Sequence, residues 1–173
     1  MIGFLRFVGV VNAAVWFGST LFFTLAVWPA FFSPEMKSLL GRAFPVYAEP
    51  LALVALGNYY VLQQVCGVVA LFHLLVEWLY SGRGLPKLLI GALLAVFAVG
   101  LLGGYAVKPQ MRSLHDKQYD RNYSVEQKKR MANSHSLLRG FVHVTNALAC
   151  VTLMIYVWRL NNPPDAPRFG KRR

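Results

Sequence analysis

The chemistry open to this chain rests first on its four histidines, His73, His115, His135 and His143. Two histidines can hold a haem iron from both sides. His73 and His143, read as lying in separate apolar runs, differ in depth by about 13 Å at 1.5 Å per residue, too far to share one iron. His115-Asp116, with Asp120 and His135, has the residue types of a metal site, but the spacing is loose and solvated loop residues are the expectation. There is no CxxC, HExxH, phosphate loop, nucleophile–base arrangement or acidic metal cage. No catalytic residue, metal or cofactor is therefore expected.

The elements that must position these residues follow from composition. Hydrophobic residues make up 56% of the 173 positions and charged residues only 14%, whereas soluble domains carry about 25% charge. The apolar residues fall in four runs, 7–32, 51–76, 86–107 and 140–158, each long enough to cross about 30 Å of hydrocarbon. The expected fold is all-α, an integral membrane four-helix bundle with a short interfacial helix after the first span and an extended fourth helix. Spans are placed at about 4–32, 48–80, 86–107 and 137–159, within one domain over 1–162. A polar loop is expected at 108–136, and a basic, proline-containing tail at 163–173.

Local signals refine this outline. Ser33-Pro34 should break the first helix, and Met36, Leu39, Leu40 and Phe44 have the spacing of an amphipathic interfacial helix. The short turn 81–86 makes the second and third helices an antiparallel hairpin. Gly100 and Gly104 form a GxxxG that permits close helix approach. Lys108-Pro109 should end the third helix, and Ser124-Val-Glu-Gln127 reads as a capping box starting a new helix at Val125. That helix meets no strong breaker before Pro163, a length of about 54 Å. Neither an inverted repeat nor a broken helix is visible.

Polar residues inside the apolar runs are the candidate site. Ser19, Thr20, Gln63, Gln64, His143 and Asn146 are expected to form one intramembrane cluster. Asn12, His73 and Thr152 come out together at roughly 10–12 Å depth from the termini side, as a second layer. Arg6 and Glu77 fall at similar depth near that interface and are expected to form an ion pair. On helical periodicity Tyr59, Gln63, Cys66, Ala70, His73 and Glu77 make one stripe of the second helix. His135, Arg139, His143, Asn146 and Cys150 make one stripe of the fourth. These side chains can serve as interhelical glue, or they can line a small cavity.

The charge of +11 lies mostly in 108–139 and 159–173, close to helix ends, where anionic lipid headgroups are the expected partners. Lys128, Lys129, Arg130, His135 and Arg139 are the candidate contacts to headgroups or to a membrane-complex partner. A homo-oligomer is also open, and no nucleic-acid motif occurs. Four spans put both termini on one side. Positive charge at the shortest loop and the tail favours cytoplasmic termini, although ten Lys and Arg lie on the opposite side against eight.

The chain resembles the four-helix membrane proteins that include animal transmembrane protein 205. The resemblance runs nearly the whole length. It lies in Trp16-x-Gly18, Phe22, Phe23 and Phe31-Phe32, then Phe44-Pro45-x-Tyr47, then Lys108-Pro109, a polar segment and His135. Met131 stands where family members often carry an aromatic residue. The resemblance implies the fold and a membrane location, and brings no chemistry with it. Residues and resemblance together point to a non-catalytic membrane protein, an accessory or structural subunit or a lipid-interacting scaffold. The alternatives are a small transporter using intramembrane polar residues and, last, a cytochrome-b-like haem subunit.

Overall fold

The computed structural model describes residues 2–81 and 87–161, which are helical almost throughout and contain no strand. Helix α1 (Ile2–Phe22) continues through a π-helical turn (Phe23–Val27) into a last α turn (Trp28–Ala30). Helix α2 (Pro34–Leu40) and a 3-10 turn (Gly41–Ala43) lead into α3 (Phe44–Ser81). Helix α4 (Lys87–Leu102) passes through a second π-helical turn (Gly103–Val107) into α5 (Lys108–Tyr119), and α6 (Val125–Asn161) closes the described chain. Four stretches, Gly3–Ala30, Pro34–Tyr80, Lys87–Tyr119 and Val125–Asn161, are long and apolar enough to cross a membrane. The expected turn at 82–86 and the tail at 163–173 lie outside the described residues.

Helix α1 packs on α3 and α6, and α4 packs on the same two, so sequential neighbours run antiparallel around a ring. Gly100 and Gly104 let α4 approach α3 closely: a Cβ on either would lie 3.3 Å from the side-chain amide of Gln63 or Gln64. Two buried apolar clusters fill the interior. One holds Trp16, Ala70, Leu93, Leu153 and Tyr156, toward the termini. The other holds Phe23, Trp28, Leu56, Met111 and Val142, toward the opposite end. A polar layer at Thr20, Gln63 and Asn146 lies between them.

Helix ends follow local chemistry. Ser33 caps α2 by accepting from Met36 N–H at 3.2 Å, with Pro34 at the first position where no N–H is required. The capping box of α6 is complete: Gln127 N–H donates to Ser124 Oγ (3.3 Å) and Ser124 N–H to Gln127 Oε1 (3.0 Å).

The largest departure from expectation is at Pro109. The third helix does not end there, and most of the expected loop 108–136 is helix. A proline inside an α-helix lacks the N–H for the residue four back and crowds that carbonyl. Here the backbone widens just ahead of it, and Lys108 N–H bonds Gly103 O, five residues back. The same device carries α1 past Pro29, with Trp28 N–H on Phe23 O. The two widened turns share one pattern, Ala26-Val27-Trp28-Pro29 and Ala106-Val107-Lys108-Pro109. Both helices thus pass a proline through the same local device, a π turn ending in Ala-Val-x-Pro. Met111 and His115, one turn apart, then seal α5 against the bundle.

Candidate functional site

The polar residues sort into three levels along the bundle. Nearest the termini, Arg6 donates to the carbonyls of Leu160 (3.0 and 3.1 Å) and Asn161 (3.4 Å). The expected Arg6–Glu77 pair is not formed. The last carbonyls of α6 have no partner within their own helix and carry the negative end of its dipole, and they take the guanidinium instead. This contact also places both ends of the described chain at one end of the bundle. His73 is buried against Gly9, where any side chain would run into its ring. Asn12 instead donates to Cys66 O at 2.9 Å, and Thr152 is half-buried. The expected Asn12–His73–Thr152 layer is therefore not assembled, because the slot left by Gly9 draws the imidazole toward the termini.

At mid-bundle the expected cluster largely forms, with changes of membership. Thr20 donates to Trp16 O at 2.8 Å and accepts from Gln63 at 3.4 Å. Gln63 also bonds the Tyr59 hydroxyl, which donates to Asn146 Oδ1 at 3.0 Å, and Asn146 donates to Thr24 Oγ1 at 3.3 Å. Thr24 closes the chain on Thr20 O at 2.8 Å. Three expected members stand apart. Ser19 bonds Trp16 O within its own helix, Gln64 lies against Gly104, and the His143 ring meets Trp28 edge-on at 6.1 Å. The α6 stripe is rotated by part of a turn, with Val142, Asn146 and Ala149 buried and Arg139, His143 and Cys150 half-buried. Of the α3 stripe, only Glu77 is exposed.

The third level lies where all four apolar runs stop. Glu49 on α3 is 5% exposed, and Arg139 Nη2 of α6 donates to its Oε2 at 2.6 Å. His135 Nε2 lies 3.0 Å from Oε1, without the alignment of a hydrogen bond. The guanidinium also stacks over Phe32, 4.6 Å from the ring centre. His115 is buried beside this group, its Nε2 3.0 Å from Val46 O and its ring 4.8 Å from that of Tyr119. Together with Phe44, Ala48, Gln118 and Ala132, these residues border an open cavity of about 320 Å³. His135 and Arg139, candidate headgroup or partner contacts that also belong to the α6 stripe, both turn inward onto Glu49. Lys129 and Arg130 are exposed, Lys128 is half-buried, and Arg130 pairs with Glu126 at 2.8 Å.

Glu49 was missed from sequence, although it continues the α3 stripe backward: 49, 52, 56, 59, 63 and 66 all lie on one face. From sequence His115 reads as a loop residue, because Pro109 is a helix breaker. With three near neighbours, Met111, Leu114 and Gln118, it holds the spacing of an inward helical stripe.

Compared with known proteins, the chain matches no family model, no curated protein and no solved structure. Among the described residues, no three His, Cys, Asp or Glu side chains are grouped to hold a metal. His73 and His143 lie against Gly9 and Trp28 of the same helix, about 28 Å apart along it, so they cannot ligate one iron from both sides.

Proposed function

We propose that this chain is a multi-pass membrane protein of the four-helix type it resembles, acting without catalysis as a lipid-interacting scaffold or accessory subunit. Its working surface in this reading is the rim cavity at Glu49, His135 and Arg139. One contrast carries the reading. The mid-bundle layer closes on itself, while three of the six buried side-chain atoms without a hydrogen-bond partner among the described residues, Glu49 Oε1, His135 Nε2 and Arg139 Nε, gather at one open cavity. The other three, Trp16 Nε1, His73 Nδ1 and Tyr156 Oη, are scattered through the termini-side half. Buried polar atoms are rarely left so, and groups bordering an open cavity are available to a ligand. The cavity sits level with the ends of the apolar runs, the depth of a headgroup, between apolar Phe32, Phe44 and Ala48 and the charged trio. Ten Lys and Arg against five Asp and Glu in 33–50 and 108–139 favour an acidic membrane surface at this end.

Transport has weaker support. A path from the rim to the mid-bundle layer would have to pass Leu56, Trp28, Met111 and Val142, all tightly buried. Filling the cavity tests the proposal. Ala132 lines it and is half-buried, so Ala132→Trp should evict an amphiphile while sparing the interior. Native mass spectrometry of protein extracted from membrane should show several-fold less retained lipid for the variant. Equal retention in two equally stable proteins would end the proposal.

A further inference from the structure

The charge pattern at the rim narrows the ligand, given the lipid-binding reading above. Glu49 Oε1 is a buried carboxylate oxygen whose near neighbour, His135 Nε2 at 3.0 Å, is out of line for a hydrogen bond. Its sister Oε2 is committed to Arg139 at 2.6 Å. Arg139 in turn spends Nη2 on that carboxylate and its face on Phe32, and keeps a buried Nε–H without an acceptor. An unmet acceptor of negative charge and an unmet donor of positive charge thus stand side by side in one cavity.

A purely anionic group would find Arg139 but would be forced against the Glu49 carboxylate, and like charges at such range repel. A purely cationic group would meet the converse. Both unmet atoms are satisfied together by a ligand that carries a cation and an anion a few bonds apart. A primary ammonium offers three N–H donors, enough for Oε1 and, in the tautomer with the ring proton on Nδ1, for His135 Nε2 beside it. A phosphate offers acceptors for the Arg139 Nε–H. A quaternary ammonium has no N–H to give and is usually held by aromatic faces. Here the Phe32 face is taken by Arg139 and the Tyr119 ring lies against His115, which leaves Phe44 alone among the cavity's aromatic rings, short of a cage.

We infer that the Glu49–His135–Arg139 cavity is a site for a primary-amine zwitterion, an ammonium linked through a short chain to a phosphate. The ammonium lies on Glu49 and His135 and the phosphate on Arg139. That chemistry is found in phosphatidylethanolamine headgroups and in free phosphoethanolamine. The apolar side of the cavity at Phe32, Phe44 and Ala48 adds room for the start of an acyl-glycerol unit.

The test titrates purified full-length protein in detergent with four probes and reads the unfolding midpoint. The probes are short-chain phosphatidylethanolamine, phosphatidylcholine, phosphatidylglycerol and free phosphoethanolamine. Wild type should bind phosphatidylethanolamine at least tenfold more tightly than the choline and glycerol lipids. Glu49→Gln, which keeps the shape and loses the charge, should erase that preference. The wild-type ranking alone decides the matter if the variant does not fold. Phosphatidylglycerol binding tightest, and more tightly still to Glu49→Gln, would make the cavity an anion site; the inference falls and the lipid-binding reading stands. Choline lipid binding as well as ethanolamine lipid overturns the inference in the same way. A midpoint shift from free phosphoethanolamine equal to that from its lipid supports the zwitterion and overturns the lipid source. No response to any probe overturns both.

Discussion

The mid-bundle layer and the rim cavity contain similar materials and do opposite things with them. Both bring polar groups of α3 and α6 together across the bundle. At mid-bundle the groups are neutral amides and hydroxyls, each able to donate and to accept. Tyr59, Gln63, Asn146, Thr20 and Thr24 therefore close a chain of bonds with no outside help. At the rim the groups are a carboxylate and a guanidinium, held in geometry that uses part of each and leaves the rest. Neutral polar groups can complete one another in a dry interior at little electrostatic cost, while a charged pair must also be solvated or complemented. The difference explains why one level is glue and the other is open.

The largest effect should come from breaking the rim pair. Removing one partner of a buried ion pair strands the other charge, at a cost of about 3–5 kcal/mol where both are fully buried. The Arg139 side chain keeps 37% exposure and can partly turn to solvent, so the low end, about 3 kcal/mol, is expected for Glu49→Leu. The double variant Glu49→Leu, Arg139→Leu should recover most of that loss, since neither charge is left behind. Thermal or denaturant unfolding of the three proteins in detergent measures the cycle. Additive losses in the double variant would show that the pair is not coupled.

A smaller effect is expected at mid-bundle. Tyr59→Phe deletes the hydroxyl that joins Gln63 to Asn146 and should cost about 1 kcal/mol, in the range of interhelical hydrogen bonds in membranes. Because this layer is closed, the variant should retain as much lipid as wild type in native mass spectrometry. Lipid lost together with the Tyr59 hydroxyl would mean that the two levels are one site.

Much of this was legible in the chain, for identifiable reasons. Apolar runs gave the four long helices. The Gly100–Gly104 spacing gave the close α3–α4 contact, and the Tyr59–His73 stripe gave the buried face of α3. What escaped were features that depend on two helices at once. Arg6 chose the end of α6 over Glu77 because helix termini offer several carbonyls where a side chain offers one charge. Pro29 and Pro109 look like stops until a widened turn shows how the backbone absorbs them. Glu49 reads as a lone acid in an apolar stretch, and only the register of α3 against α6 shows that Arg139 and His135 meet it.

The smallest expected effect lies just beyond the rim, at the start of α6, and sharpens where the rigid part of the site begins. Ser124 and Gln127 exchange two bonds there in an exposed position, and Val125 after them is exposed too. Ser124→Ala removes the acceptor for Gln127 N–H and should cost about 1 kcal/mol of helix stability. That loss should stay local, because the first buried α6 residue is His135, nearly three turns further on. The expected result is faster amide hydrogen exchange across Val125–Arg130, with the unfolding midpoint and the protection around Arg139 unchanged. Faster exchange that spread to His135 and Arg139 would show that the cap helps to hold the cavity wall. In that case the basic turns carrying Lys128, Lys129 and Arg130 would be coupled to the Glu49 site rather than a solvated extension of it.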